Sequence, residues 1–175
     1  MEAPFTPRIF RVVAATDDSE LGDSAIAAAA EQARGRSPAE LHVVSVIDDM
    51  AGAWPGLLED AREATAQRSR RQLAEHVARL VASSPAGAAC PLQVVVHVRV
   101  GDPASQIARL AGDLDADLLV VGSHGRHGFS RMIVGSVAER VIRLAPCSVM
   151  VVKDEGAPAH PRASRLDESG SHRYG

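Results

Sequence analysis

Short runs of β-branched and aliphatic residues alternate along the chain with longer stretches whose apolar side chains recur every three or four positions. The short runs predict five β-strands, at residues 9–15, 41–47, 92–98, 118–121 and 148–152. The longer stretches predict four helices, at residues 21–34, 55–82, 103–114 and 135–144. The strands are almost continuously apolar and need burial on both faces, which predicts an α/β fold with an open parallel sheet and helices on both sides.

The last of these helices carries two further expectations. Val137, Val141 and Leu144 recur at helical spacing, so we expect all three to point into the core. Ser136 and Glu139 match the Ser-x-x-Glu pattern of a capping box, so this pair is expected to close the start of the helix.

Length and composition indicate one globular domain. The chain has 175 residues, of which 46% are hydrophobic and 23% are charged. We expect the domain to span residues 8–153. Residues 154–175 are mostly Gly, Pro, Ser, His and charged residues, with Leu166 as the one sizeable aliphatic, and are expected to form a disordered tail.

Charge and cysteine content narrow the class of partner and the compartment. A net charge of −3 offers no basic surface for nucleic acid or anionic membrane, so neither is expected as a partner. Residues 1–7 do not resemble the start of a secretory signal. Cys90 and Cys147 are too few for a disulfide scaffold, so we expect two free thiols in a cytoplasmic protein.

Candidate chemistry concentrates after the fourth predicted strand, because ligands of open parallel sheets bind beyond the carboxyl ends of the strands. Residues 122–136 read GSHGRHGFSRMIVGS, a glycine-rich segment that leads into a helix. Such a segment can aim several backbone N–H groups at one anion, and the helix start adds further donors. Arg126 and Arg131 are present, and no acidic residue occurs between Leu118 and Ala138. The pattern predicts a phosphate-binding site.

Several other sites are excluded by spacing. No Gly-x-x-x-x-Gly-Lys-Ser/Thr run exists, and the first strand is not followed by Gly-x-Gly-x-x-Gly, so neither a P-loop nor a dinucleotide fingerprint is present. Ser123 lacks the Gly-x-Ser-x-Gly elbow of hydrolases. His124, His127 and Cys147 are too sparse to hold a metal ion.

A receiver-like phosphoacceptor domain is a second hypothesis. Asp17 and Asp18 after the first strand would be its magnesium ligands, and Asp102, Ser123 and Lys153 would be its acceptor, hydroxyl and lysine. Against it, Asp102 lies beyond the end of its strand, and a receiver has no use for the long glycine segment.

Over residues 8–153 the sequence resembles the universal stress proteins of the nucleotide-binding type. The resemblance rests on TDDSE at 16–20, VSVID at 44–48, GDP at 101–103, and above all GSHGRHGFSRMIVGS followed by VAERVIRLAPCSVMVV. The family's glycine signature is Gly, two residues, Gly, nine residues, then Gly and Ser or Thr. This sequence matches it at every fixed position.

The resemblance implies a Rossmann-like fold with strand order 3-2-1-4-5 that binds ATP without a P-loop, with magnesium left open as the counter-ion. Asp17 would meet the ribose or adenine side of the nucleotide, and Ala15 and Val46 would line the adenine slot. The other implied contacts are Val121 and Gly122 beneath the ribose and phosphates, and Gly125, Gly135, Ser136 and Val137 around the phosphate chain, beside Ser123, His124 and Arg126.

The implied function is nucleotide-dependent signalling or stress-response binding with at most slow hydrolysis, so no catalytic residue is assigned. A universal stress protein that binds no nucleotide stays open as an alternative. The resemblance also suggests a homodimer in which the strands at 148–152 pair antiparallel. Ala15 stands where close relatives often have Pro and Asp18 where many have Gly, and the added acid would weaken phosphate binding.

Overall fold

The computed structural model describes residues 8–48, 59–83, 92–123 and 134–153. Every predicted element is present, and wherever an end is described it differs from the prediction by no more than two residues. In chain order the elements are β1 (Phe10–Thr16), α1 (Glu20–Arg34), β2 (Ala39–Ile47), α2 (Glu59–Ser83), β3 (Gln93–Val100), α3 (Pro103–Asp113), β4 (Leu118–Gly122), α4 (Ser136–Leu144) and β5 (Ser148–Val152).

The five strands form one parallel sheet in the order β3-β2-β1-β4-β5, as the resemblance implied. β1 is central, with Ala15 opposite Val44 of β2 and Ala14 opposite Val120 of β4. The strand order therefore reverses beside β1, and the carboxyl ends of β1 and β4 meet at the same edge. That reversal is where open α/β sheets bind their ligands.

Helices cover both faces of the sheet. On one face α1 packs its small residues against β1 and β2, with Ile26 as its large buried side chain, and Leu73 and Val77 bring in α2. On the other face α3 and α4 cover Val13, Val44 and Leu119. Both faces of the central strands are buried beneath helices, as the apolar composition of the strands predicted.

α4 departs from two expectations. Val137 and Leu144 are exposed, and the buried side chains of the helix are Ala138 and Val141. Ala138 lets α4 approach α3 closely, so the buried stripe is rotated and Val137 and Leu144 fall on its flank. The capping box was also wrong, because Gly135 is the N-cap residue and Ser136 is the first helical residue. Glu139 instead pairs with Arg143 at 2.9 Å.

A polar group interrupts the second face near the start of β2. Nδ1 of His42 lies 3.0 Å from Nε2 of His97, while Glu40 Oε2 lies 3.4 Å from His42 Nε2 and 3.1 Å from Arg11 Nε. Burial is the main reason why the pKa of both histidines falls, to about 4 for His97. The two rings are therefore neutral at pH 7 and share one N–H as a hydrogen bond.

The helices in the described ranges include none that combines the length and apolar character needed to cross a membrane. Within the same ranges, His, Cys, Asp and Glu side chains do not gather in groups of three or more around a possible metal position.

Candidate functional site

The start of α1 is closed by its own side chains. Ser19, the N-cap residue, accepts a hydrogen bond from the Gly22 N–H at 3.1 Å. Asp17 Oδ1 accepts from the Ser19 N–H and hydroxyl, and Thr16 Oγ1 accepts from the Asp18 N–H at 3.2 Å. Side chains in the TDDS segment therefore satisfy one donor of the first helical turn, the Gly22 N–H, and the N–H groups of the two residues before the helix.

Asp18 occupies a left-handed backbone conformation, with φ of 60°. Glycine adopts this conformation freely, and Asp is among the few other residues that tolerate it. The turn geometry thus accounts for the glycine that the resemblance expects at this position. Asp18 keeps the turn while adding a carboxylate at the same edge of the sheet.

The start of α4 is built in the opposite way. Gly135 is its N-cap residue, and glycine has no side chain that could accept from the first-turn N–H groups. Those N–H groups point out of the helix without intrahelical acceptors and carry the positive end of the helix dipole. A helix start whose main-chain N–H groups are not capped by a side chain can bind an anion.

Backbone hydrogen bonds hold this open start against the sheet. The Gly135 N–H donates to the carbonyl of Ser123 at 2.6 Å, and the Ser123 N–H donates to the carbonyl of Val152 at 2.7 Å. Ser123 is buried at 1% exposure directly after β4. The two ends of the glycine segment are thereby joined to each other and to β5.

An apolar surface lies beside the open helix start. Ala15, Val46 and Val121 pack in the same apolar cluster, on the face covered by α3 and α4. Gly122 lets the end of β4 approach α1, since a Cβ at this position would lie 2.9 Å from Leu21 Cγ. The ends of β1, β2 and β4 therefore form one continuous wall.

Asp102 lies at the same edge and joins two helices. Its Oδ2 caps α3 by accepting from the Ser105 N–H at 2.9 Å. Both carboxylate oxygens also accept from Arg140 of α4, at 2.6 and 2.9 Å. These hydrogen bonds hold the pKa of Asp102 well below its usual range, with Arg140 as the largest cause. A carboxylate occupied in this way is poorly suited to the acceptor role in a receiver.

The structure brings most of the sequence-predicted residues to this one edge, in three groups. Ala15, Val46 and Val121 form the apolar wall, and Asp17 is in the closed α1 start. Around the open α4 start lie Gly122, Ser123, Gly135, Ser136 and Val137. His124, Gly125 and Arg126 lie outside the described residues.

Sequence reasoning missed Arg140. It stands four residues after Ser136 and therefore on the same side of α4, one turn further along. The sequence did offer a signal for this pair. It has a basic residue four positions after Ser136 and an acidic residue in Gly-Asp-Pro after the third strand. Their contact across 38 positions depends on how α3 and α4 pack.

Comparison with known sequences matches residues 9–153 to the Universal stress protein family. A Staphylococcus aureus (strain USA300) protein that carries the name universal stress protein is 43% identical over 67 residues. That match covers 38% of this chain and 40% of the relative, so the chain spans about two fifths of the length of the curated relatives it matches.

Two solved structures are similar over most of the chain. The universal stress protein UspA from Lactobacillus plantarum is 28% identical, with a TM-score of 0.64 over 84% of this chain and 99% of its own. The universal stress protein from Archaeoglobus fulgidus in complex with dAMP is 25% identical, with a TM-score of 0.55 over 83% of this chain and 98% of its own.

Proposed function

Because the chain belongs to the universal stress protein family, we propose that it binds an adenine nucleotide, ATP in particular, where the ends of β1 and β4 meet. The single observation that carries the proposal is the open start of α4 beside an apolar wall. A nucleotide presents an apolar base and an anionic phosphate chain, and this edge offers a surface suited to each.

The phosphate chain would lie against the first turn of α4. Main-chain N–H groups of that turn and the Ser136 hydroxyl would donate to its oxygens, with the helix dipole adding attraction. Gly125, a fixed position of the glycine signature, and the basic Arg126 would complete the contact. The capped start of α1 supports the same choice, because Ser19 already accepts from the Gly22 N–H and Asp17 accepts from the Ser19 N–H.

The adenine and ribose would lie against the strand ends. Ala15, Val46 and Val121 supply an apolar surface for the base, and Asp17 would meet the ribose or adenine side. The Archaeoglobus fulgidus neighbour was solved with dAMP, an adenine nucleotide, which supports this class of ligand. Magnesium would enter as the counter-ion of the phosphates, since Mg²⁺ keeps several waters and needs few protein ligands.

The biochemical role would be nucleotide-dependent binding in the stress response within the cytoplasm, with hydrolysis slow at most. The proposed phosphate contacts in the described part of the chain are main-chain N–H groups and hydroxyls, which stabilise charge and do not act as general bases. Asp17 would lie toward the ribose or adenine side and already accepts from the Ser19 hydroxyl.

Titration calorimetry tests the proposal on protein freed of bound nucleotide. MgATP, dAMP, GTP and inorganic triphosphate are titrated separately. We expect saturable binding of MgATP, weaker binding of dAMP, and little heat with GTP. No binding of either adenine nucleotide at millimolar concentration would favour a universal stress protein without a nucleotide. Equal binding of triphosphate alone would mean an anion site without an adenine slot.

We further propose that the protein is a homodimer in which two β5 strands pair antiparallel. β5 is at the end of the sheet order, so one of its sides faces away from β4 and presents unpaired backbone groups. Val137, Ile142 and Leu144 on neighbouring α4 are exposed apolar side chains that a second copy could cover. Light scattering should give twice the chain mass, and Ile142→Lys with Leu144→Lys should lower it. A monomer at high micromolar concentration would refute the dimer.

A further inference from the structure

We propose that Asp102 and Arg140 are positioning residues that hold the first turn of α4 in the orientation that receives the phosphate chain. The inference rests on the proposed function and extends it to two residues that would not touch the nucleotide.

The pair has the geometry of a fixed contact. The two terminal nitrogens of the Arg140 guanidinium, Nη1 and Nη2, each donate to one carboxylate oxygen of Asp102, at 2.6 and 2.9 Å. Two parallel hydrogen bonds fix the relative orientation of two planar groups, which a single ion pair does not. Asp102 is itself held in place because it caps α3, so its contact with Arg140 fixes Arg140 relative to α3.

The turn before Asp102 is fixed to the other wall of the site. Gly101 has φ of 129°, a conformation that side chains rarely adopt, and its N–H donates to the carbonyl of Ile47 at 3.0 Å. Ile47 ends β2, one residue after Val46 of the apolar wall. A chain of contacts thus runs from the base-binding wall through Gly101 and Asp102 to Arg140 of the phosphate-binding helix.

Among the described residues, the first turn of α4 is also held by the Gly135–Ser123 hydrogen bond and by the buried Ala138. The helix is nine residues long, and Ala138 and Val141 are its buried side chains. Ser136 and Val137, which begin the helix, are exposed. Arg140 lies one turn beyond Ser136 on the same side, so a restraint on Arg140 acts directly on the donors of the first turn.

The plainer interpretation is an exposed ion pair with no role in binding. The Arg140 and Asp102 side chains are 48% and 42% exposed, and such pairs contribute little to stability. Stability is therefore the wrong measurement, because a positioning role and a merely structural one both predict a small change in it. The two roles differ in which part of the nucleotide loses affinity.

Asp102→Asn and Arg140→Gln, alone and together, form the test. Asparagine still caps a helix start, so Asp102→Asn removes the carboxylate while keeping the α3 cap. Asp113→Asn is the matched control for the acid, since it breaks the exposed Arg99–Asp113 pair at 2.9 Å. Arg143→Gln is the control for the base, because it breaks the Glu139–Arg143 pair on the same helix.

Calorimetry with ATP and with adenosine then separates the phosphate contact from the base contact. We expect the Kd for ATP to rise about threefold or more in each single variant. The double variant should lose no more ATP affinity than the weaker-binding single variant. The Kd for adenosine should stay within about twofold, and both controls should match wild type. In the free protein, the amide of Glu139 should exchange faster in Arg140→Gln than in Arg143→Gln.

Two failures remain distinguishable. If wild type binds ATP and the variants bind it as the controls do, or lose ATP and adenosine equally, the positioning role is overturned while the proposed function stands. If wild type binds neither ATP nor adenosine, both fall together.

Discussion

Two helices begin at the same edge of the sheet and begin in opposite ways. α1 starts with Ser19 and Asp17 bonded to each other and to the backbone, and six of its residues are buried. α4 starts with a glycine that has no side chain, and two of its residues are buried. One helix start is therefore capped by a side chain of its N-cap residue, whereas the N-cap residue of the other supplies no side-chain acceptor.

The difference teaches that a helix start after a strand is not in itself a phosphate site. The N-cap residue decides, because Ser or Asp there uses the donors and contributes its own oxygen, whereas Gly leaves them open. Packing follows the same division. The α1 start lies close against β1 and β4, while Arg140 in the second turn of α4 pairs with Asp102 at the start of α3.

The largest effect is expected from closing the open start. Gly135→Asp should weaken ATP binding at least about a hundredfold, because its carboxylate would accept from the first-turn donors and repel the phosphates. The fold should persist, since φ of −70° at this position suits any residue. Calorimetry measures the affinity for ATP, and urea unfolding measures the stability of the variant. Gly135→Ala adds a side chain without a charge and should lose less ATP affinity than Gly135→Asp. Unchanged ATP affinity in Gly135→Asp would show that the phosphates do not bind at this helix.

The next effect comes from disturbing the closed start. A Cβ at Gly22 would lie 2.5 Å from Thr16 Oγ1, so Gly22→Ala should reduce the free energy of unfolding by about 2 kcal/mol. Gly35→Ala is the matched control at the other end of α1, where the nearest atoms are 3.7 Å away. Urea denaturation compares the two variants, and equal stability would show that the contact at Gly22 relaxes freely.

A smaller effect is expected from removing the α1 cap. Ser19→Ala should lower the free energy of unfolding by about 1 kcal/mol, the usual cost of a lost N-cap. The Kd for ATP should change by less than about threefold, because the phosphate contacts are assigned to α4. A loss of ATP affinity as large as that of Gly135→Asp would place the phosphates at α1 and reverse the comparison.

The smallest effect is a pH response away from both helix starts. His42 and His97 have a lowered pKa in the folded protein, so the unfolded chain binds protons first as the pH falls below 6.5. Their stabilising contribution is complete above that value and declines toward pH 4. Because His97 is partly exposed, the loss between pH 7 and 5 should stay below about 1 kcal/mol.

The check is urea unfolding of wild type and His97→Gln at pH 7 and pH 5. The variant should show the shallower dependence of unfolding free energy on pH. The ratio of ATP affinities between the two proteins should be the same at both pH values, since neither helix start involves these rings. Parallel stability curves would contradict the lowered pKa of His97.

The fold could be predicted further than the site because its signals are local. Apolar runs such as residues 118–121 identify strands without knowledge of their neighbours, and helical spacing identified α1, α3 and α4. The sequence could not predict which side of α4 is buried, because Val137 and Ala138 both lie at helical spacing from Val141. Which of them turns inward is decided by the approach of α3, a tertiary contact.

The candidate site was predictable where one segment supplies it. Glycine spacing identified Gly122, Gly135 and Ser136, but a Ser-x-x-Glu pattern cannot reveal that the preceding glycine becomes the N-cap residue. The pairing of Asp102 with Arg140 depends on two helices meeting in space. No periodicity in the chain encodes that contact.

The hydrogen bond between Gly135 and Ser123 has one more consequence. It links the end of β4 to the residue before α4, so these two elements do not have to be brought together when a ligand binds at the helix start. Lengthening a closed segment is cheap, about 0.6 kcal/mol for each doubling. The residues between β4 and α4 could therefore change at little cost in stability, and it is nucleotide binding that would restrict positions such as Gly125 and Arg126.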